Sequence, residues 1–272
     1  MSEEPPEAVS YYGAYYRNFA DDAYAEIRRA EFGEDLGQNN WQTRSELERF
    51  ASQLELAPAA HLLDVACGAG GVAVHLAQVT GCEVTGVDQE EAGLANARRL
   101  AREAGIDARV RFLRADASRP LPFDDGSFDA VLCLDALNHL PGRQAIFADW
   151  ARALTPGGKL LFTDPVTITG LVSSQELALR SSIGYFDFAP PGEDARLLSA
   201  AGLHVIAVED LTETIDAVAR RRFDVRAERS EALRALEGDD AFEGRQRFLV
   251  MVAKLARERR MSRFAFLAEK PL

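Results

Sequence analysis

The residues best suited to chemistry in this chain form a glycine-rich turn after a short apolar run. Residues 61–65 are mostly apolar and predict a β-strand. Gly68, Gly70 and Gly71 follow, and residues 72–77 predict a helix. Glycines allow the backbone to approach a ligand closely, and a helix N-terminus presents free N–H groups to it. Strand, glycine turn and helix together predict the opening of a nucleotide-binding βαβ unit.

A carboxylate, Asp64, lies near the end of this strand, four residues before Gly68. It would repel the pyrophosphate of a dinucleotide and would attract a cation or N–H donors. This favours a ligand with positive charge and no phosphate at the turn. A dinucleotide site also fits the pattern, because Gly68, Gly70 and Ala73 match its fingerprint spacing.

Further aspartates come at or just after the ends of other predicted strands. Ligands of parallel sheets bind beyond the carboxyl ends of the strands, so such a series predicts one binding edge. An acid after the second strand can accept hydrogen bonds from both hydroxyls of a ribose, and one after the third can accept from the exocyclic amine of an adenine. The series continues with Asp88, Asp116, Asp135 and Asp164.

His139 is the candidate general base. It follows the fourth predicted strand, and Asp164 follows the fifth. Neighbouring ends of parallel strands would bring the imidazole and the carboxylate within hydrogen-bond distance, as in a base and the group that orients it. Such a base serves an oxygen nucleophile, whereas an amine only has to arrive unprotonated. The alternative is that His139 merely caps the next helix or packs on the ligand.

Aromatic residues outside the predicted sheet are candidates for binding a substrate. They are Trp41 and three residues of a loop before two prolines, Tyr185, Phe186 and Phe188. These rings would suit an apolar pocket, although packing within the core is the alternative for each of them.

These candidate residues require a sheet whose strands alternate with helices. That alternation predicts an α/β fold with a mostly parallel sheet and helices on both of its faces. After the first strand, we predict strands at residues 83–87, 109–113, 130–134, 159–163, 203–208 and 263–268.

Predicted helices flank the sheet region at both ends of the chain. A capping box, Thr43 to Glu46, opens a helix that ends near residue 54. Residues 171–182, 214–236 and 241–260 also predict helices, the last two long and amphipathic. We expect the chain to divide into an N-terminal helical lid (1–55), a core (56–210), a helical insert that also acts as a lid (211–262) and a final strand (263–272).

Composition narrows the function classes. The chain has 272 residues and a net charge of −12, which argues against a nucleic-acid substrate. It has no apolar run near the roughly twenty residues of a membrane span. Its three cysteines are widely spaced, so we expect free thiols in a reducing cytoplasm, and its four histidines lack ligand spacing, so we expect no metal site.

Taken together, residues 55–165 resemble the class I methyltransferases that depend on S-adenosyl-L-methionine (SAM). The resemblance rests on the turn that begins at Asp64, with Ala66 where the family usually has glycine. It also rests on Asp88, on Asp116 with its neighbour Ala117, and on the Pro156 to Gly158 turn. It implies a Rossmann-like, doubly wound sheet of seven strands, the last of them antiparallel.

The resemblance also implies roles for individual residues. Gly68 and Gly70 would line the methionyl part of SAM with Asp64 nearby, Asp88 would hold the ribose, and Asp116 and Ala117 would meet the adenine. Tyr11 and Tyr12 resemble tyrosines that close over SAM, and an aromatic face suits a sulfonium. The implied cofactor-binding set is Tyr11, Tyr12, Asp64, Ala66, Gly68, Gly70, Asp88, Gln89, Asp116, Ala117 and Leu134.

The layout is similar to that of methyltransferases that act on small molecules, including N-methyltransferases of sarcosine and dimethylglycine, C-methyltransferases of quinones, and O-methyltransferases of sugars and natural products. We therefore expect a cytoplasmic enzyme that methylates a hydroxyl of a small molecule, and a homodimer is the candidate assembly. The alternatives are N- or C-methylation, or a SAM-binding protein that transfers nothing.

Overall fold

The computed structural model describes residues 10–272, except for the side chains of Ser10, Tyr11 and Ala14. The predicted contact of the Tyr11 side chain with the cofactor, and the part of the predicted lid before Ser10, lie outside the described residues. None of the helices within residues 10–272 is long and apolar enough to cross a membrane.

One sheet of seven strands organises the fold. The strands are His61–Val65 (β1), Glu83–Asp88 (β2), Val110–Arg114 (β3), Phe128–Leu134 (β4), Leu154–Ile168 (β5), His204–Asp210 (β6) and Met261–Glu269 (β7). Their order is β3-β2-β1-β4-β5-β7-β6, and β7 is antiparallel to both of its neighbours. This confirms the predicted Rossmann-like class with a last antiparallel strand.

Helices cover both faces of the sheet and its carboxyl edge. In the described part of the chain they are Ser10–Arg17 (α1), Asp22–Phe32 (α2), Arg44–Gln53 (α3), Gly71–Thr80 (α4), Glu91–Glu103 (α5), Arg143–Ala153 (α6), Ser174–Arg180 (α7), Glu193–Ala200 (α8), Thr212–Glu228 (α9), Ser230–Glu237 (α10) and Asp239–Arg257 (α11). The capping box of Thr43 and Glu46 at the start of α3 is present as predicted.

Two apolar layers hold the helices onto the sheet. Alternate strand residues point to opposite faces, so Leu63 packs with α6 and α8 while its neighbour Leu62 packs with α3 and α4. Trp150 of α6 is fully buried in the first layer, and Phe50 of α3 is fully buried in the second. Because both faces are covered, the carboxyl edge of the sheet is where a ligand can meet several strand ends.

The N-terminal helices pack against the C-terminal ones. Tyr15, Tyr24 and Ile27 share an apolar cluster with Leu233 of α10 and Phe242 of α11. The predicted helix 214–236 is in fact two helices, because the backbone at Arg229 (φ −109°, ψ 24°) leaves the helical region. The break separates α9 from α10, whose Leu233 is fully buried in this cluster.

Two other elements differ from their predicted bounds. β5 is much longer than residues 159–163, because Leu154 pairs with β4 at one end and Thr167 and Ile168 pair with β7 at the other. α7 is shorter than residues 171–182, since Ser173 forms a capping box with Glu176 that fixes its start.

Candidate active site

A cavity of about 280 Å³ lies at the carboxyl ends of β1, β2 and β4. The strand order reverses at β1, and ligands of open α/β sheets bind at such a point. The helical segments at both ends of the chain contribute to the wall. The predicted site residues on the wall are Tyr12, Trp41, Ala66, Asp88, Gln89, Asp116, Ala117, Leu134, His139, Tyr185 and Phe186.

Asp88, the last residue of β2, is a buried carboxylate on this wall. Its Oδ2 accepts a hydrogen bond from the backbone N–H of Gly68 at 2.8 Å, and its Oδ1 accepts one from the N–H of Glu90 at 2.9 Å. Burial raises its pKa, and these backbone donors oppose the rise. Each oxygen has a second lone pair, so Asp88 can still accept from a ribose hydroxyl.

Gly68 and Gly70, predicted to line the ligand site, instead pack against helices. Their φ angles are +56° and +76°, a region that favours glycine. A Cβ at Gly68 would lie 2.4 Å from the Tyr16 hydroxyl, and one at Gly70 would lie 2.4 Å from the Cβ of Ala97. The glycines let α1 and α5 approach the turn, while Ala66 faces the cavity.

Asp64 lies behind the cavity wall. It is 3% exposed, and its Oδ2 has no hydrogen-bond partner among the described residues. Burial raises its pKa from 3.8 to about 8, and repulsion by Asp88 acts in the same direction. Asp64 is therefore mainly protonated at pH 7. The sequence resemblance places Asp64 near SAM, but its side chain does not line the cavity.

The predicted adenine residues line the cavity at the end that follows β3. Asp116 is exposed, and its Oδ1 accepts hydrogen bonds from the backbone N–H and the hydroxyl of Ser118. Ala117 and Leu134 are buried and make this end apolar, and Gln89 lies at the exposed rim. An apolar slot with a carboxylate at its edge suits a flat base with an exocyclic amine.

His139 is held between a carbonyl and a hydroxyl. Its Nδ1 lies 2.9 Å from the carbonyl oxygen of Tyr185, and its Nε2 lies 2.9 Å from the hydroxyl of Tyr12. A carbonyl only accepts, so Nδ1 carries the hydrogen and the Tyr12 hydroxyl donates to Nε2. Burial, with the nearby charges of Arg180 and Arg245, lowers the pKa of His139 to about 4. The imidazole is therefore neutral at pH 7, with its basic nitrogen on the cavity side.

The predicted pairing of His139 with Asp164 is wrong. Asp164 is fully buried, and its Oδ2 accepts a hydrogen bond from Nη1 of Arg143 at 2.5 Å. The same nitrogen donates to Asp194 of α8 at 2.8 Å. Asp164 thus belongs to a buried ion cluster beneath the cavity, and the carbonyl of Tyr185 orients the histidine in its place.

The predicted substrate residues divide into two groups. Trp41, Tyr185 and Phe186 line the cavity. The backbone N–H of Trp41 also donates to Asp135 at 2.9 Å, which ties the loop before α3 to the end of β4. Phe188 is not a wall residue: its ring stacks on that of Phe186, and both pack against an apolar cluster that contains Leu255 and Met261.

Polar wall residues absent from the sequence predictions complete the cavity. The loop before α3 carries adjacent amides, Gln38, Asn39 and Asn40, and such a run in the sequence is a signal for polar recognition. Asn39 Nδ2, Asn40 Oδ1 and both amide atoms of Asn138 are buried without a hydrogen-bond partner among the described residues. The wall residues not predicted include Gln38, Asn39, Asn40, Asn138, Arg180 and Arg245.

This wall fits the SAM implied by the sequence resemblance. Asp88 would hold the ribose, and the slot beside Ala117 would take the adenine. Buried amides without partners are costly unless a ligand satisfies them, and SAM has an ammonium and a carboxylate that can do so. Asn39, Asn40 and Asn138 would hold that amino-acid end.

Comparison with known proteins supports the same ligand. Residues 62–158 match a family model described as a methyltransferase domain. The 27-O-demethylrifamycin SV methyltransferase of Amycolatopsis mediterranei is 32% identical over 225 residues, which cover 78% of this chain and 81% of that protein.

Solved structures share the fold. The [4+2]-cyclase SpnF superposes with a TM-score of 0.78 at 22% identity, covering 98% of this chain and 97% of that one. A phosphoethanolamine N-methyltransferase of Haemonchus contortus, in complex with SAM, gives a TM-score of 0.78 at 23% identity, covering 94% and 60%. At such identities these structures show the fold alone.

Family membership rests on the rifamycin methyltransferase together with the family model, and both agree with the wall described above. SAM is accordingly the cofactor. The chain belongs to the class I SAM-dependent methyltransferases, in the branch that acts on small molecules.

Proposed function

We propose that this enzyme methylates a hydroxyl oxygen of a small natural product or metabolite, with His139 as the general base. The observation that carries the proposal is the pair of contacts of His139, Nδ1 at 2.9 Å from the Tyr185 carbonyl oxygen and Nε2 at 2.9 Å from the Tyr12 hydroxyl, which leave Nε2 as the basic nitrogen. Bound SAM supplies an activated methyl group. The chain has to orient the hydroxyl and take its proton.

The proton would travel through Tyr12. The Tyr12 hydroxyl donates to Nε2 of His139 and Tyr12 lies on the cavity wall, so its oxygen would take the proton of the substrate hydroxyl first. Transfer to Tyr12 and from Tyr12 to Nε2 leaves the tyrosine neutral and the histidine protonated. The Tyr185 carbonyl then accepts from the Nδ1–H of the imidazolium, so the ring needs no rotation during the step.

Oxygen is favoured over nitrogen for two reasons. An amine acceptor needs no base, whereas this cavity holds a histidine in a fixed, neutral tautomer. The relative of Amycolatopsis mediterranei is named for an oxygen of a natural product. N- and C-methylation are the alternatives, since other relatives methylate sarcosine or a sterol carbon.

We further propose that α1, α2 and α9 to α11 form the lid of the cavity, with the chain divided near residues 55, 210 and 262. Tyr12 and Tyr16 of α1 and Arg245 and Phe248 of α11 lie on the wall, so these helices separate the reacting groups from water. The cytoplasmic location and the homodimer stay predictions.

The test replaces the base and leaves the cavity otherwise intact. His139→Ala should lower the single-turnover rate of methyl transfer by roughly a hundredfold to ten-thousandfold, the usual contribution of a general base. SAM affinity, measured by calorimetry, should change little. Transfer of a ¹³C-labelled methyl group to a panel of hydroxylated acceptors gives both the rate and the atom methylated.

His204→Ala is the matched control, because His204 lies exposed on β6 far from the cavity wall. Its rate should equal that of the wild type. A His139→Ala enzyme within about threefold of the wild type, or a methyl group found on nitrogen, would contradict the proposal.

A further inference from the structure

Two buried arginines face the cavity from its helical side. Arg180, at the end of α7, is 2% exposed, and Arg245 of α11 is 6% exposed. Both residues line the cavity wall. Arginine is almost never fully buried unless it is paired, so the surroundings of Arg180 need an explanation.

Arg180 has no carboxylate partner among the residues that the structure describes. Its Nη2 lies 3.4 Å from the carbonyl oxygen of Pro165, a long contact, and its Nη1 has no hydrogen-bond partner. Its guanidinium also lies 4.9 Å from the ring centre of Phe186 and 5.1 Å from that of Phe248. Aromatic faces compensate only part of the lost hydration.

Other buried arginines of this protein show the usual solution. Arg143 binds Asp164 and Asp194, Arg222 binds Glu31, and Arg263 binds Asp135 and Glu46. The two carboxylates whose charges act on Arg180, Asp164 and Asp135, are therefore already held by other guanidinium groups.

The environment of Arg180 is unfavourable without a ligand. Burial lowers its pKa to about 10; the charges of Asp164 and Asp135 oppose this fall, and the charge of Arg245 adds to it. A bound anion would satisfy Nη1 and relieve the repulsion between the two cations. The cavity is the side from which such an anion can reach both arginines.

We propose that Arg180, assisted by Arg245, binds an anionic group of the methyl acceptor, a carboxylate or a phosphate. This inference rests on the proposed methyl transfer, because it names the chemical class of the acceptor. The anion would sit beside the reacting hydroxyl, since the ring of Phe186 contacts both Arg180 and His139, whose ring centroid lies 4.5 Å away. Arg180 is then a specificity-determining residue, and neutral analogues should bind poorly.

The experiment measures binding, so it does not depend on turnover. Protein saturated with S-adenosylhomocysteine is titrated calorimetrically with benzoate, with phenyl phosphate and with neutral benzamide. At least one anion should bind about tenfold or more tightly than benzamide. Benzoate and phenyl phosphate separate a carboxylate site from a phosphate site.

Substitutions then assign the preference to Arg180. Arg180→Met should remove the preference for anions, and Arg180→Lys should keep part of it, because lysine retains the charge without the planar fork. Arg99→Met, on the exposed face of α5, is the control for a general loss of positive charge and should keep the preference.

Equal binding of anions and benzamide by the wild type, or a preference that survives in Arg180→Met, would overturn the inference. Loss of SAM affinity in Arg180→Met would also overturn it, because the arginine would then hold the carboxylate of the donor. If anions bind as expected but no oxygen is methylated, the anion site stands and the proposed function fails.

Discussion

Replacing Asp64 by asparagine should stabilise the protein, and more so at high pH. Asp64→Asn keeps the shape of the side chain and removes the group that titrates. The pKa of this carboxyl is raised from 3.8 to about 8 in the folded protein. Between these values the folded state binds more protons than the unfolded state, so this group makes stability fall as pH rises.

The magnitude follows from the same shift. Each pH unit within the window corresponds to about 1.4 kcal/mol. The raised pKa of Asp64 therefore lowers the free energy of unfolding by about 3 kcal/mol at pH 6 and by about 5.5 kcal/mol at pH 8.5. The variant should gain about 2.5 kcal/mol more over the wild type at pH 8.5 than at pH 6, and any fixed cost of the asparagine amide cancels in this difference.

Urea unfolding of the SAM-free protein at the two pH values, followed by tryptophan fluorescence, measures this difference. Asp107→Asn is the matched control for the loss of one carboxyl group, because Asp107 is exposed in the loop before β3. The same free-energy change for Asp64→Asn at both pH values would refute the reasoning, since the carboxyl would then titrate as it does in water.

Two further substitutions test contacts within the cavity. Asp88→Ala removes a charged acceptor for the ribose and should weaken SAM binding by about 1.5–3 kcal/mol in a calorimetric titration; unchanged affinity would place the ribose elsewhere. Tyr12→Phe removes the hydroxyl bound to His139 and should lower the single-turnover rate by a factor similar to that of His139→Ala. A normal rate would mean that the acceptor reaches His139 directly.

The order of strands and helices was predictable because it depends on local patterns. The glycine turn after Asp64 and the capping box at Thr43 are set by neighbouring residues. The helix break at Arg229 was not predictable, since α10 turns away to bury Leu233 against residues distant in sequence. The extra length of β5 likewise depends on its pairing with β7.

The candidate site, too, was predictable only where it depends on local sequence patterns. The predicted strand ends place Asp88, Ala117 and His139 at one edge of the sheet, because parallel strands end at the same edge. In the structure all three line one cavity. The strand pattern does not determine which side chains pair with each other. In the structure Asp164 accepts a hydrogen bond from Arg143 and does not pair with His139. Arg180 was missed because helical arginines are usually exposed, and only the tertiary packing of α7 buries this one.

The pH dependence of methyl transfer tests the central claim, a neutral histidine base, most directly. Burial lowers the pKa of His139 to about 4, so its basic form is complete from pH 6 to pH 9. The single-turnover rate of the wild type should be flat over this range, whereas that of His139→Ala should rise about tenfold per pH unit, because only an ionised hydroxyl would then react. Profiles of the same shape in the two proteins would contradict the account.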